Sequence, residues 1–392
     1  MTIRIVLYSH DSAGLGHIRR NLALAHALSA GLNGEAVTGL LVAGRPEATR
    51  FRPPHGWDWL ILPGVTHGED GYRSRELRVD VSTATRLRGA AFRSAVRAFR
   101  PDMVVIDRHP LGVGRELEGA LRTLRVEQPD CRIVLGLRDV LDAPAPAGAE
   151  WHALGGARTL RPLLDAVWVY GDPRIHDLTA TGELPEDLND LVTHTGYLAE
   201  GRIDGVAHEV GEPYVLTTVG GGADGTELAI AAAAAPVPDG HEHLVVTGPQ
   251  MSAGDRRRVR AAATPRTQVV RRVPDALPLM RRASAVVCMG GYNTICELMT
   301  TRTPALVAPR TQRRDEQRIR ASALARAGAV DTLAPWQIDA GAIGEWFASN
   351  IGRAVARDAI ARDGLERVPL LAETLLAGDA RMSEEGGERV AS

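Results

Sequence analysis

The sequence predicts an α/β protein of two domains, each built on a parallel sheet flanked by helices, facing one another across a cleft. Three observations predict it. At 392 residues the chain exceeds what a single hydrophobic core usually supports, so two domains of somewhat under 200 residues each are expected. Short β-branched and aliphatic runs alternate with longer helical patterns, as parallel βαβ units require. That alternation lapses into Gly, Asp, Glu and Pro between about Ala199 and Pro213, then restarts.

In the first half, strands are expected at Ile3 to Tyr8, Val37 to Val42, Trp59 to Leu62, Met103 to Asp107, Ile133 to Leu137, Ala166 to Tyr170 and near Leu191 to His194. Helices fall between them. His17 to Ala30 carries Ile18, Leu22, Ala25 and Leu28 at helical spacing, and Ser74 to Arg100 reads as a long arginine-rich helix whose charged face is solvated rather than membrane-bound. In the second half, Tyr214 to Val219, His243 to Thr247, Gln268 to Arg271, Ala285 to Met289 and Ala305 to Ala308 read as strands, and Trp336 to Leu376 as helical throughout. The expected organisation is an N-terminal domain over 1–199, a linker over 200–213, and a C-terminal domain over 214–352. C-terminal helices over 353–376 return toward the N-terminal domain, and a tail over 377–392, rich in Glu, Gly and Ser, is expected to be disordered.

Composition removes several function classes. A formal net charge of −2 supplies no whole-molecule attraction to nucleic acid or an anionic bilayer, so neither is expected as a partner, and peripheral membrane contact is not indicated. Three scattered cysteines make neither a disulfide framework nor a zinc site, which fits a reducing cytoplasm. No export signal is read at the N-terminus and no run of about 18 apolar residues occurs. All 46 basic residues counted as Lys or Arg are arginine, which excludes Schiff-base chemistry and a P-loop lysine.

Ligands of open parallel sheets bind beyond the carboxyl ends of strands, so glycine-rich turns after strands are the candidate sites. Ser9 to His17 follows the first strand and contains Gly14 and Gly16. It lacks the third glycine and the later acidic residue of a dinucleotide fingerprint, so NAD and FAD are not expected. His17 opens the next helix, where the dipole disfavours its protonated form, and it is a candidate base; a capping or packing role is as good a reading of the residue alone. His10 is its rival in the same loop. The second turn, Gly220-Gly221-Gly222, can bring backbone N–H groups close to a phosphate. The third runs Met289-Gly290-Gly291-Tyr292-Asn293-Thr294-Ile295-Cys296-Glu297. Asn293 or Thr294 is expected to cap a helix whose first amides hold an anion, with Glu297 one turn in, aimed at the same mouth.

The run Gly290 to Glu297, with Pro304 to Pro309 and Asp315-Glu316-Gln317, resembles the donor segment of the glycosyltransferase family 28 C-terminal domain. The loop Ser9 to Arg20 is similar to the N-terminal loop of a bacterial group of predicted glycosyltransferases in that superfamily. The resemblance implies the GT-B fold, two Rossmann-like domains with the acceptor on the N-terminal side and the nucleotide sugar on the C-terminal side. It implies that Gly290, Gly291, Asn293 and Thr294 line the diphosphate, Glu297 takes the ribose, and Glu316 and Gln317 reach the sugar. Val273 would meet the base through its backbone, Gly220, Gly221 and Gly222 would close over the donor, and His17 would stand near the acceptor. Inversion at the sugar is expected on the same ground.

Taken together these readings expect a hexosyltransferase using a UDP-sugar, or a dTDP-sugar, as co-substrate, with no cofactor. The acceptor, small molecule, glycan or lipid, offers a hydroxyl or amine. No Asp-x-Asp stands at a strand end, so no metal is expected. The base is expected to be His17 oriented by Asp107, which ends the strand Met103 to Asp107; Asp139 could replace Asp107. A nucleotide-sugar epimerase or hydrolase on the same fold, or a non-catalytic sensor, would reuse the donor site, and the chain is expected to be a monomer or homodimer.

Overall fold

A computed structural model describes residues 2–10, 14–68, 71–203, 208–211, 213–310 and 314–388. Strands run in chain order as β1 (Thr2–Tyr8), β2 (Ala36–Ala43), β3 (Trp57–Ile61), β4 (Val65–Gly68), β5 (Gly71–Ser74), β6 (Met103–Asp107), β7 (Arg132–Arg138), β8 (Ala166–Tyr170), β9 (Val192–His194), β10 (Tyr214–Thr218), β11 (Glu242–Val246), β12 (Thr267–Val270), β13 (Ala285–Cys288), β14 (Ala305–Val307) and β15 (Asp331–Thr332). Seven form one parallel sheet in the order β3-β2-β1-β6-β7-β8-β9, and six form a second in the order β12-β11-β10-β13-β14-β15. Helices cover both faces of each, which is why the central strands are apolar on both sides: every residue of β6, β8, β10 and β13 is buried.

The strand order reverses between β1 and β6 in the first sheet and between β10 and β13 in the second, and such switch points open crevices at the carboxyl ends of the strands. Each sheet has its own outer core, Val6, Ile106 and Leu135 on the first and Val215, Val287 and Phe347 on the second. The inner faces share one core that runs without a break from Leu7 and Trp168 through Tyr197 and Tyr292 to Leu216 and Val286. The chain crosses between the sheets twice, side by side. The Tyr197 amide donates to the Ala361 carbonyl at 2.9 Å, and the Gly364 amide donates back to Tyr197 at 3.0 Å. The final helix, Gly364–Glu388, then lies on the helix Gly16–Leu28, with Arg132 donating to the Leu375 carbonyl at 3.1 Å.

Three local expectations are corrected. The long helix begins at Val81, where the Asp80 side chain accepts from the Thr83 amide at 2.8 Å; Ser74 belongs to the antiparallel β4-β5 hairpin, too short and polar to show in the apolar pattern. On that helix Arg88 is buried, its guanidinium bonded to Glu116 at 2.5 Å, so it is not part of a solvated face. Residues 336–376 are not helical throughout, because the helix Ala340–Asn350 is followed by an irregular stretch before Gly364. The last helix spans Gly364–Glu388, and Val368 and Ala372 near its start lie in the shared core.

Ion pairs bind the two halves. Arg320 of the helix Glu316–Arg326 is fully buried and donates to both oxygens of Asp139, which follows β7, at 2.6 and 2.8 Å. The Tyr197 hydroxyl completes that carboxylate at 3.0 Å. Arg138 pairs with Glu316 at 2.5 Å, Arg314 pairs with Glu150, and the Asp315 amide donates to Asp142 at 2.9 Å. Among the described residues no helix is long and apolar enough to cross a membrane.

Removing one partner of a buried pair leaves the other charge stranded, at a cost of about 3–5 kcal/mol. Asp139→Ala should therefore lower stability by about that amount in urea or thermal unfolding, whereas exposed pairs such as Arg161 with Asp190 should contribute less than about 1 kcal/mol.

Candidate active site in the interdomain cleft

Both switch points open into the same cleft, and the residues singled out by sequence gather there from opposite walls. On the N-terminal wall, His17 is the second residue of the helix Gly16–Leu28 and is half-buried. Its Nδ1 lies 2.9 Å from Oδ2 of Asp107, the last residue of β6. Strands β1 and β6 are neighbours in the sheet, so the turn after one and the end of the other are brought together by pairing alone. Burial alone would raise the Asp107 carboxyl, but Arg20 and His17 outweigh it and hold the group below the usual carboxylate range. Burial lowers His17 and so does Arg20, while Asp107 works in the other direction; the balance leaves the imidazole neutral near pH 7. In the tautomer with Nδ1–H donated to Asp107, the Arg20 nitrogen beside Nδ1 contributes its charge rather than a hydrogen bond, and the lone pair of Nε2 is the basic one.

Arg20 was not anticipated. It is buried, and one of its nitrogens reaches the two Asp107 oxygens at 2.5 and 2.6 Å and His17 Nδ1 at 2.9 Å. The signal was present in the spacing, since residues three apart share a helix face. Asp139 does not face His17: Arg320 and Tyr197 engage it, and Asp107 is the carboxylate beside the imidazole.

Around this dyad lie two more imidazoles. His10 is buried, its Nε2 3.0 Å from the Tyr72 hydroxyl of the β4-β5 hairpin, and its ring sits 3.8 Å from that of His109 and 6.0 Å from that of His17. Burial is the main cause that holds both His10 and His109 well below the ordinary histidine range. The hairpin missed by sequence thus forms one side of the pocket next to the dyad. Gly14 and Gly16 belong to the described part of the loop; Asp11, Ser12 and Ala13 lie outside the described residues.

On the C-terminal wall, Gly290 follows β13 with φ +79°, and a Cβ there would meet Val307 Cγ1 at 2.6 Å, so glycine is required on two counts. The helix Tyr292–Met299 follows, and its N-cap is Gly291 rather than Asn293 or Thr294. An extended glycine brings the chain in so that the helix axis points into the cleft without a side chain in the way. Among the described residues no protein group accepts from the amides of Gly291, Tyr292, Asn293 or Thr294, and Asn293 and Thr294 are half-exposed. These amides and the helix dipole are available to an anion. Asn293 spans the gap, donating to the Gly16 carbonyl at 2.9 Å and accepting from Arg202 at 3.2 Å.

Gly220 and Gly221 are exposed in the turn after β10, while Gly222 is buried with φ +86°, where a Cβ would meet the Thr247 carbonyl oxygen at 2.1 Å. The neighbouring Asp224 pairs with Arg310 at 3.2 Å. Arg310 also contacts Glu316 at 3.1 Å, and its amide donates to Gln317 Oε1 at 3.2 Å. Glu316 is thus held between Arg310 and Arg138; burial opposes ionisation, but these arginines and Arg320 hold the carboxyl down at about 2. Glu297 is buried and accepts from Arg19 at 2.6 Å, with Asp275 at 3.9 Å from the same guanidinium; Val273 lies half-buried two residues away, in the turn after β12. The cleft is therefore closed by side-chain pairs, and shallow cavities of about 420 and 440 Å³ lie elsewhere on the surface, beside Gly31 and Arg161.

Residues 216–335 match the model of the glycosyltransferase family 28 C-terminal domain. Solved structures with the same GT-B fold extend the likeness over the whole chain. They include the calicheamicin glycosyltransferase CalG4 (17% identity, TM-score 0.56, 100% of each chain), the glycotransferase of kitacinnamycin (16%, 0.58, 98% of each) and MurG of Acinetobacter baumannii (14%, 0.53, 95% of each). No curated protein matches the sequence.

Because the folded-state pKa of His10 and His109 is lowered, the unfolded chain takes up protons below about pH 6.5 that the folded chain refuses. Stability should therefore be intact above that pH and fall as the pH drops through 6 to 5, by up to about 1.4 kcal/mol per unit for each such histidine. Urea titrations at several pH values should show that slope, and His109→Gln should reduce it by one proton's share.

Proposed function

We propose that this chain, which carries a glycosyltransferase family 28 C-terminal domain on a GT-B fold, transfers a hexosyl group from a nucleoside diphosphate sugar to an acceptor hydroxyl or amine. A UDP-sugar is favoured over a dTDP-sugar as donor. One observation carries the reading: a neutral imidazole backed by a carboxylate stands at the switch point of one sheet, facing a glycine-led helix start at the switch point of the other, whose first amides no group among the described residues accepts from.

The chemistry follows from that opposition. Nε2 of His17 removes the proton from the acceptor hydroxyl, and Asp107 stabilises the imidazolium as it forms. The acceptor oxygen attacks the anomeric carbon while the bond to the diphosphate breaks on the opposite side, which inverts the centre. The departing charge falls on the amides of Gly291 to Thr294 and the positive end of their helix, aided by the turn at Gly220 to Gly222, with no metal required. Glu297 takes the ribose, Val273 the base, and Glu316 and Gln317 the sugar hydroxyls. Domain closure keeps water from competing with the acceptor, a small molecule, a glycan or a lipid. Donor entry displaces Arg19 from Glu297 and loosens the arginines from Glu316, so the closed arrangement opens before each turnover.

A thermal-shift screen of nucleoside diphosphates should raise the melting temperature, because a ligand at 100 times its Kd adds about 2.7 kcal/mol of stability. No shift with any of them would remove the donor site. His17→Ala should keep that shift while losing transfer by about 10²-fold or more. Rapid sugar release or epimerisation without an acceptor would instead point to a hydrolase or epimerase.

A further inference from the structure

The side chains of Arg20 and Tyr292 are buried at the centre of the cleft floor and have no part in the transfer as described so far. Arg20 holds the dyad from within: a single nitrogen touches both Asp107 oxygens and the His17 Nδ1. Its guanidinium carbon stands 5.4 Å from the centre of the Tyr292 ring, which belongs to the helix on the opposite wall. Arg320 approaches the same ring at 5.8 Å, and Arg320 donates to the Gly290 carbonyl at 3.1 Å. Tyr197 stacks on Tyr292 with ring centres 6.2 Å apart, and the Tyr292 hydroxyl accepts from the Leu198 amide at 3.3 Å. One aromatic ring thus lies between a cation that grips the dyad and a cation that grips the glycine turn. The contact is contiguous from wall to wall.

We propose that Arg20 is a positioning residue that keeps the His17 imidazole deprotonated and aimed, and that Tyr292 couples this positioning to closure of the donor-side domain. The proposal rests on the reading of His17 as the base. A fixed cation beside an imidazole disfavours imidazolium, and Arg20 also offsets the Asp107 charge that would otherwise draw a proton onto His17. Other groups face His17 as well: Asp107 from β6, Arg138 from the end of β7, His10 from the loop after β1, and His109 from the loop after β6. Arg20 is the one among them that touches both members of the dyad. When the domains part, the Tyr292 ring leaves the guanidinium, Arg20 loses the surface that orients it, and the base relaxes. The base is then fully poised only when the donor-side helix is in place.

The test is the pH profile of kcat/KM for transfer, measured on the full chain. Protonation of His17 sets the acid limb. In Arg20→Met the limb should move to higher pH by about one unit or more, since both charge effects removed have the same sign. Arg20→Lys, which keeps the charge on a shorter arm, should recover part of the way. Tyr292→Leu should move the limb in the same direction by less, and Tyr292→Phe, which keeps the ring, should restore the wild-type profile. Retention of the melting shift with UDP shows that each variant is folded. Should Arg20→Met not melt cooperatively, Arg20→Lys and Tyr292→Leu carry the same test. A uniform loss of rate with the limb unmoved in the Arg20 variants would overturn the proposal, as would a Tyr292→Leu profile identical to that of the wild type. Wild-type turnover in His17→Ala would instead remove the base assignment itself, so the two failures are distinct.

Discussion

The buried pair of Asp139 and Arg320 is the constraint on which the rest of the arrangement depends. The two residues are 181 positions apart, lie in different domains and are almost wholly removed from water, with the Tyr197 hydroxyl and the Gly290 carbonyl taking up remaining hydrogen-bonding capacity. Desolvating two charges is costly, so the pair adds little net stability against an apolar substitute, but once the domains are joined it admits few alternative registers. That register places the end of β6 opposite the start of the helix Tyr292–Met299. A shift of a few ångströms would separate His17 from the first amides of that helix.

The sheets were legible because parallel strands covered on both faces read as unbroken apolar runs; β6 and β8 match the expected ranges residue for residue. The pairing of His17 with Asp107 was expected only from residue type and the place of Asp107 at a strand end, with Asp139 as the alternative; the strand order supplies the reason, since β1 and β6 are neighbours and whatever follows one meets whatever ends the other. The β4-β5 hairpin was not, because four-residue strands carrying His, Tyr, Arg and Gly lack any periodic apolar signal. The helix cap was misassigned because Asn and Thr are good caps by type, whereas the extended conformation of Gly291 decided the matter. Least legible were the partners of the charged residues. Glu297 and Glu316 carry the expected side chains in the expected segments, but nothing local announces that Arg19 and Arg138 reach them from the other domain.

The absence of lysine gives the cleft a particular character. Each cation in it is a planar fork that can hold two acceptors in fixed geometry, as Arg310 holds Asp224 and Glu316 and Arg320 holds Asp139 and Gly290. Such a group can pass from one carboxylate to another anion without changing its protonation. An ammonium in the same low-dielectric setting would lose its proton more readily. The cleft can therefore be dry when closed and still keep its positive charge.

The paired crossings at Tyr197 and Gly364 govern how the molecule can move. Two antiparallel segments bonded to each other form a strap with an axis, so separation of the halves is a rotation about that line rather than a slide. Travel then grows with distance from the axis. Leu198 at the strap itself stays almost still, the Tyr292 ring that hinges on it through its hydroxyl tilts away from Arg20, and the link between Arg314 and Glu150 at the outer lip swings furthest. On the function proposed above, a long acceptor would enter at that lip without disturbing the strap, so the size of molecule admitted would be set by the amplitude of the swing and the geometry beside His17 by the pivot.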